Sequence, residues 1–203
     1  MSRATKETEA GRRYLDLQRM AKHTGRPTDE LIQLYALEGF LDRLARSVYA
    51  DQFVLMGGVL LAALNARRPT RDIDLAAQGL DNSAEHVLLL IREIAAIAID
   101  DGLVFNAEHA TAETIRDDDH YSGVRVTLGG ALSRAAIRLH VDINVGDPIW
   151  PEPQKVRLPG SGSVWLRAAF LARIGFGFSA EIQLVNAFLG DARLVRHRRD
   201  QVL

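Results

Sequence analysis

The stretch Phe53 to Leu75, FVLMGGVLLAALNARRPTRDIDL, constrains the chain more than any other. It opens with the apolar run Phe53-Val54-Leu55-Met56, the kind of segment that forms a buried strand. Gly57-Gly58 follow at once, and Val59 to Leu64 has the composition and length of a short helix. Arg67-Arg68-Pro69-Thr70 ends that helix, because proline lacks the N–H that would continue it. The chain then enters a second strand, Arg71 to Leu75. Residues two apart on a strand share a side, so Asp72 and Asp74 project together while Ile73 and Leu75 face the other way. Two neighbouring carboxylates repel unless a cation lies between them. A Mg²⁺ ion held by one or two carboxylates and by substrate phosphates meets that need. A strand ending in Gly-Gly at a helix start offers backbone N–H groups with no side chain to block a phosphate. Phosphate cradle, Arg67-Arg68 and the carboxylate pair together point to nucleotidyl transfer.

Composition sets outer bounds. At 203 residues the chain fits one domain, or one domain with a helical extension, and is long enough to bury a core. With 47% hydrophobic and 25% charged residues it reads as a soluble globular protein. A net charge of −1 gives no global attraction to nucleic acid, so RNA binding has to come from local basic patches. The absence of cysteine excludes a disulfide framework and a Cys-based zinc site, and fits a cytoplasmic location. The opening MSRATKETEAGRRYLDLQRM is too polar for a signal peptide, and no apolar run approaches the roughly 20 residues of a membrane span.

Along the chain, Lys6 to Lys22 reads as an amphipathic helix with Tyr14, Leu15, Leu17 and Met20 on its apolar side, stopped by Gly25. Thr28 is the expected N-cap of a second helix, Asp29 to Arg46. After a polar turn at Gln78 to Asn82, Ser83 caps a helix over Ala84 to Ala98. Leu103-Val104-Phe105 is a short strand candidate and Ala112 to Arg116 another short element. Asp117-Asp118-Asp119-His120 reads as a solvated loop rather than a metal cluster. Tyr121 to Leu128 alternates as a strand, Gly129-Gly130 marks a bend, and Ala131 to Ala135 forms the connection. Ile137 to Val145 is the clearest alternating strand. Its odd-numbered residues face the core, and Arg138, His140, Asp142 and Asn144 face away. A carboxylate in mid-strand is costly unless paired or metal-bound, which singles out Asp142. His140 is expected to orient or pack rather than catalyse.

The Gly-Gly turn, short helix and Asp-x-Asp strand resemble the signature of the polymerase-β-like nucleotidyltransferases. The wording of Phe53 to Leu75 resembles more closely the AbiEii/AbiGii toxin family, whose mycobacterial branch is the MenT toxins and whose members pair with a DNA-binding antitoxin. The likeness runs from about Tyr14 to Pro159. It implies an α+β fold: a nucleotidyltransferase core at 51–160 with a mixed or antiparallel sheet and flanking helices, an N-terminal helical extension at 1–50, and a divergent C-terminal helical region at 161–203.

The resemblance also assigns roles. Asp72 and Asp74 would hold Mg²⁺ against the triphosphate of an NTP, and Asp142 matches the third carboxylate, on a strand beside the Asp-x-Asp strand, as metal ligand or general base. Gly57 and Gly58 would cradle phosphates; Arg67, Arg68 and Arg71 would stabilise their charge; Arg125 matches a basic position beside the nucleotide. Thr70 matches a hydroxyl that can receive a phosphate, which would oppose the site by charge. The implied reaction extends the 3′ end of tRNA and blocks translation. The alternatives are NMP transfer to a protein and a non-catalytic member that acts by partner binding. Two departures bear on activity: Met56 and Ile182 stand where the family commonly has lysine. The basic run Arg193 to Arg199 is a candidate for RNA phosphates.

Overall fold

The computed structural model describes residues 4–56, 72–77, 79–81, 83–116, 122–146, 149, 153–157 and 165–168. Helix α1 spans Glu9–Thr24. The Thr8 hydroxyl accepts from the Gly11 N–H at 3.1 Å, satisfying one of the donors a helix start leaves open. Gly25, at φ 71°, ends it in the left-handed conformation that glycine adopts without a Cβ clash. Helix α2 spans Thr28–Arg46, and here the expected cap is corrected: Pro27 is the N-cap and Thr28 is already helical. No side chain caps this end. Pro27 instead supplies an extended backbone and a carbonyl that accepts from Leu31 N–H at 3.3 Å. Helix α3, Ala84–Ala95, is capped as expected by the Ser83 hydroxyl, which accepts from His86 N–H at 3.1 Å.

Eight strands form one mixed sheet: β1 Phe53–Leu55, β2 Asp72–Ala77, β3 Leu103–Phe105, β4 Thr111–Arg116, β5 Ser122–Leu132, β6 Ala135–Val145, β7 Gln154–Arg157 and β8 Trp165–Ala168. Their order is β3-β5-β6-β2-β1-β8-β7, with β4 also pairing β5. Strands β2 and β6 run parallel, as do β1 and β8; the other pairs are antiparallel. This is the expected α+β architecture. Strand β8 lies within the region read from sequence as C-terminal helix.

The bend expected at Gly129-Gly130 is absent. Both glycines lie inside β5, which continues to Leu132 and turns through Ser133-Arg134 alone, with Ser133 at φ 53°. The glycine at 130 has a packing reason: a Cβ there would stand 2.7 Å from the Val104 carbonyl oxygen and 3.0 Å from the Phe105 ring. Its role is to let β3 approach β5.

One face of the sheet carries the core. Phe53, Leu55, Ile73, Leu75, Val124, Val126, Leu128, Leu139, Val141 and Ile143 pack there with residues of α1, α2 and α3, including Leu37, Phe40, Leu44, Ile91 and Ile94. Each fully buried side chain of this size contributes about 1.5–3 kcal/mol. At the rim, Arg43 is buried and forks onto Asp101 at 2.6 and 3.1 Å, tying α2 to the turn before β3. With α1, α2 and α3 on one side, the alternation of β2, β5 and β6 sends their polar residues to the other.

Candidate active site

The polar face is built by register. Strand β2 lies parallel to β6 with Asp74 opposite Asp142 and Asp72 opposite His140. Paired residues on adjacent strands share a face at a strand spacing of about 4.8 Å, so three carboxylates from two strands gather on one side. Strand β5 then sets Arg125 opposite Asp142 and Thr127 opposite His140, and β4 sets Glu113 opposite Arg125. At the other end of the row, Met56 N–H donates to the Asp74 carbonyl oxygen at 2.8 Å. A line of side-chain positions therefore crosses five strands or strand ends: Met56, Asp74, Asp142, Arg125, Glu113. Ile73 and Leu75, between and beside the two acids of β2, are buried on the core face.

Asp142 is half-buried and takes a two-pronged bond from Arg125, Nε to Oδ1 at 2.8 Å and Nη2 to Oδ2 at 2.7 Å. Such a fork fixes direction as well as charge. The bond it donates to Asp142 is the main reason the Arg125 guanidinium pKa is held above its ordinary value; partial desolvation opposes it, and the charges of Asp142, Asp72 and Glu113 add to it. His140 Nδ1 lies 3.0 Å from the Thr127 hydroxyl, an orienting contact consistent with its expected role.

Of the site residues expected from sequence, Asp72, Asp74, Asp142 and Arg125 are brought onto one face. Gly57, Gly58, Arg67, Arg68, Thr70 and Arg71 lie outside the described residues, as do Asp117 to His120, Ile182 and the basic run Arg193 to Arg199. Glu113 was not anticipated, although the alternation of TAETIR beside YSGVRVTL carries the signal that both belong to one ladder. The Arg125–Asp142 bond was also missed.

An all-oxygen donor set from Asp72, Asp74 and Asp142 suits a hard divalent cation. In the present arrangement Asp142 turns both oxygens to Arg125, and among the described residues no cluster of three or more His, Asp or Glu side chains is formed that could hold a metal. The residues fit such an ion by chemistry; both Asp142 oxygens are engaged by Arg125 in this structure. Among the described residues, no helix is long and apolar enough to cross a membrane.

An α+β sheet with helices on one face and acids in register on the other is the architecture expected of a nucleotidyltransferase. Residues 39–163, from within α2 to beyond β7, match the family model of the nucleotidyl transferase AbiEii toxin, type IV toxin–antitoxin system. The chain belongs to that family. Among solved structures it is similar to JHP933 from Helicobacter pylori, with 16% identity over 71% of this chain and 53% of that one and a TM-score of 0.42. It is equally similar to an H. pylori protein whose own nucleotidyltransferase assignment is provisional, with 16% identity, 71% and 55% coverage and a TM-score of 0.42. The chain spans about half the length of both. A search of curated proteins finds no match.

Proposed function

We propose that the acidic face of β2 and β6 is the transfer site of a toxin that moves a nucleotide from an NTP to the 3′ end of tRNA. The observation that supports a transfer site here is the register itself: Asp74 and Asp142 are direct partners on parallel strands, with Asp72 one pair along on the same face, while the tRNA acceptor is taken from the family resemblance. Asp72 and Asp74 would hold a divalent cation, which when bound supplies charge neutralisation at the triphosphate and the departing pyrophosphate. The chain's own work is then positioning. Gly57 and Gly58 present backbone N–H groups to phosphate oxygens, and Arg67, Arg68 and Arg71 add positive charge beside them. Asp142 would join Asp72 and Asp74 as a third oxygen ligand, or accept the proton of the attacking hydroxyl once its carboxylate is turned towards the acceptor. Arg193 to Arg199 contact RNA phosphates. An antitoxin partner follows from family membership, and a phosphate on Thr70 would place negative charge two residues from Asp72.

The test incubates the full chain with labelled NTPs and Mg²⁺ in the presence of total tRNA or of protein extract. Label at the tRNA 3′ end that disappears in Asp74→Asn supports the proposal. Label on protein moves the acceptor, and no label in either arm leaves the chain as a non-catalytic binder.

A further inference from the structure

Arg125 stands between two carboxylates. Asp142 is its partner across β6, and Glu113 is its partner across β4 in the same row. Directly opposed residues on antiparallel strands have β-carbons about 4.5–5.5 Å apart, so both acids lie within the reach of one arginine side chain. The guanidinium currently takes Asp142. It is not locked there by burial: the Arg125 side chain is 36% exposed and that of Asp142 20%, and Glu113 is exposed. Asp142 in turn lies between Arg125 on one side and Asp74 on the other.

We propose that Arg125 is a positioning residue for Asp142, holding its carboxylate out of the ligand shell of a cation bound at Asp72 and Asp74, and releasing it by moving the guanidinium to Glu113. This rests on the cation-site reading given above. The driving force is charge. A dication beside Asp74 repels the guanidinium one strand beyond Asp142 and attracts the Asp142 carboxylate, so the same event that recruits the acid expels its partner. Glu113 supplies the second seat, which keeps the displaced arginine paired. The third carboxylate is thereby withheld until the cation arrives, which couples completion of the site to loading.

Where a binding-competent form is only a fraction of the population, apparent affinity falls by that fraction, so a latch closed about nine times in ten weakens cation binding about tenfold. Arg125→Gln then binds cation about tenfold more tightly than the wild type. Glu113→Gln, with no second seat, binds several-fold more weakly. A simple field effect predicts the same two directions, so the double variant decides. If Glu113 acts only through Arg125, Glu113→Gln has no effect in the Arg125→Gln background, whereas independent through-space effects add. Arg125→Lys gives a second discrimination: it keeps the charge but lacks the two-pronged grip, so the latch predicts tighter binding and a field effect predicts no change.

The experiment titrates the full chain with Mn²⁺ alone, without nucleotide, at fixed ionic strength, and reads free Mn²⁺ by electron paramagnetic resonance, with a thermal melt of every variant. Asp74→Asn serves as reference. Tighter binding in Arg125→Gln and Arg125→Lys, with a silent Glu113→Gln in the double variant, supports the latch. Binding that depends on Asp74 but is the same in wild type and Arg125→Lys, or additive effects in the double variant, overturns the latch alone. Absence of any Asp74-dependent binding overturns instead the cation-site reading on which it rests. Should Arg125→Gln fail to fold, the Arg125→Lys comparison decides by itself.

Discussion

Asp74 and Asp142, far apart in sequence, are register partners on two parallel strands, so their side chains leave the sheet on the same face. This relationship is set by the hydrophobic pattern. Ile73 and Leu75 on β2 and Val141 and Ile143 on β6 are buried in the core, and a one-residue slip of either strand would drive an acid into it. The residues that fold the sheet therefore also aim its acids.

Because the acids lie on the face away from the core, replacing them separates function from folding. Asp72→Asn and Asp74→Asn are each expected to lower nucleotide transfer by about a hundredfold or more, the scale of losing one preorganised electrostatic element. Stability should fall far less than on truncation of a core side chain, because neither carboxylate is packed in the core. Transfer rates measured beside thermal melts check both halves, and wild-type transfer in either variant removes that residue from the site.

Arg43 behaves in the opposite way. Its side chain is 3% exposed, and its guanidinium bonds Asp101, the Gly39 carbonyl at 2.8 Å and the Leu103 carbonyl at 3.4 Å. Removing one partner of such a pair strands the other, so Arg43→Ala should destabilise the fold by about 3–5 kcal/mol. Asp101 is nearer solvent and also accepts from Leu103 N–H at 2.9 Å, a bond asparagine can keep, so Asp101→Asn should cost less. Urea denaturation of both variants gives the comparison, and a cost below about 1 kcal/mol for Arg43→Ala would contradict the anchoring role.

Much of this was legible from the residues. The alternation of IRLHVDINV separated Asp142 from the core face, and Asp-x-Asp fixed the shared side of Asp72 and Asp74. Alternation tells which face a residue takes but not which strand lies beside it; that the Asp142 strand neighbours the Asp-x-Asp strand came from the family resemblance, and the parallel direction of the pair was out of reach. The Arg125–Asp142 bond was nearer to hand. A two-residue loop at Ser133-Arg134 fixes the hairpin register, and counting seven residues back from Leu132 and seven on from Ala135 sets Arg125 against Asp142. Reading Gly129-Gly130 as a bend hid that loop, because close approach by β3 and a turn both select glycine. Strands β7 and β8 are four residues each, too short for periodicity to declare.

Tyr35 gives a pH dependence whose sign follows from burial. Desolvation is the main cause that raises its phenol above the ordinary value of 10.0, and the phenol donates to the Asp101 carbonyl at 2.7 Å. A group whose folded pKa is raised contributes stability that is fully present below its unfolded pKa and is lost as pH rises above that value. The melting temperature should therefore decline above about pH 10, where the unfolded chain releases this proton first. In Tyr35→Phe the decline should be shallower. Parallel declines in thermal melts of the two proteins from pH 8 to 11 would exclude Tyr35 as a source.

The last prediction concerns Met56, the apolar end of the acidic row. Its N–H bonds the Asp74 carbonyl, which continues the β1–β2 ladder by one residue and sets Met56 on the face of Asp74 and Asp142. The side chain packs at the edge of a small apolar cluster with Val54, Ala76 and Ile149. A lysine stem can keep much of that packing while its ammonium reaches solvent, so Met56→Lys should fold. The new charge would stand beside the acids at the β1 end of the row, where the reading given above puts the triphosphate. One charge-assisted hydrogen bond to phosphate contributes about 1.5–3 kcal/mol, which corresponds to roughly tenfold or more in affinity. Met56→Lys is therefore expected to lower KM for the NTP about tenfold, with the gain shrinking as salt screens the new charge. A competing outcome is pairing of the ammonium with Asp74, which would weaken Mn²⁺ binding and raise KM. Nucleotide KM across a salt series, with Mn²⁺ titration of the same variant, separates the two. A KM that stays at the wild-type value at low salt would show that the triphosphate does not pass this end of the row.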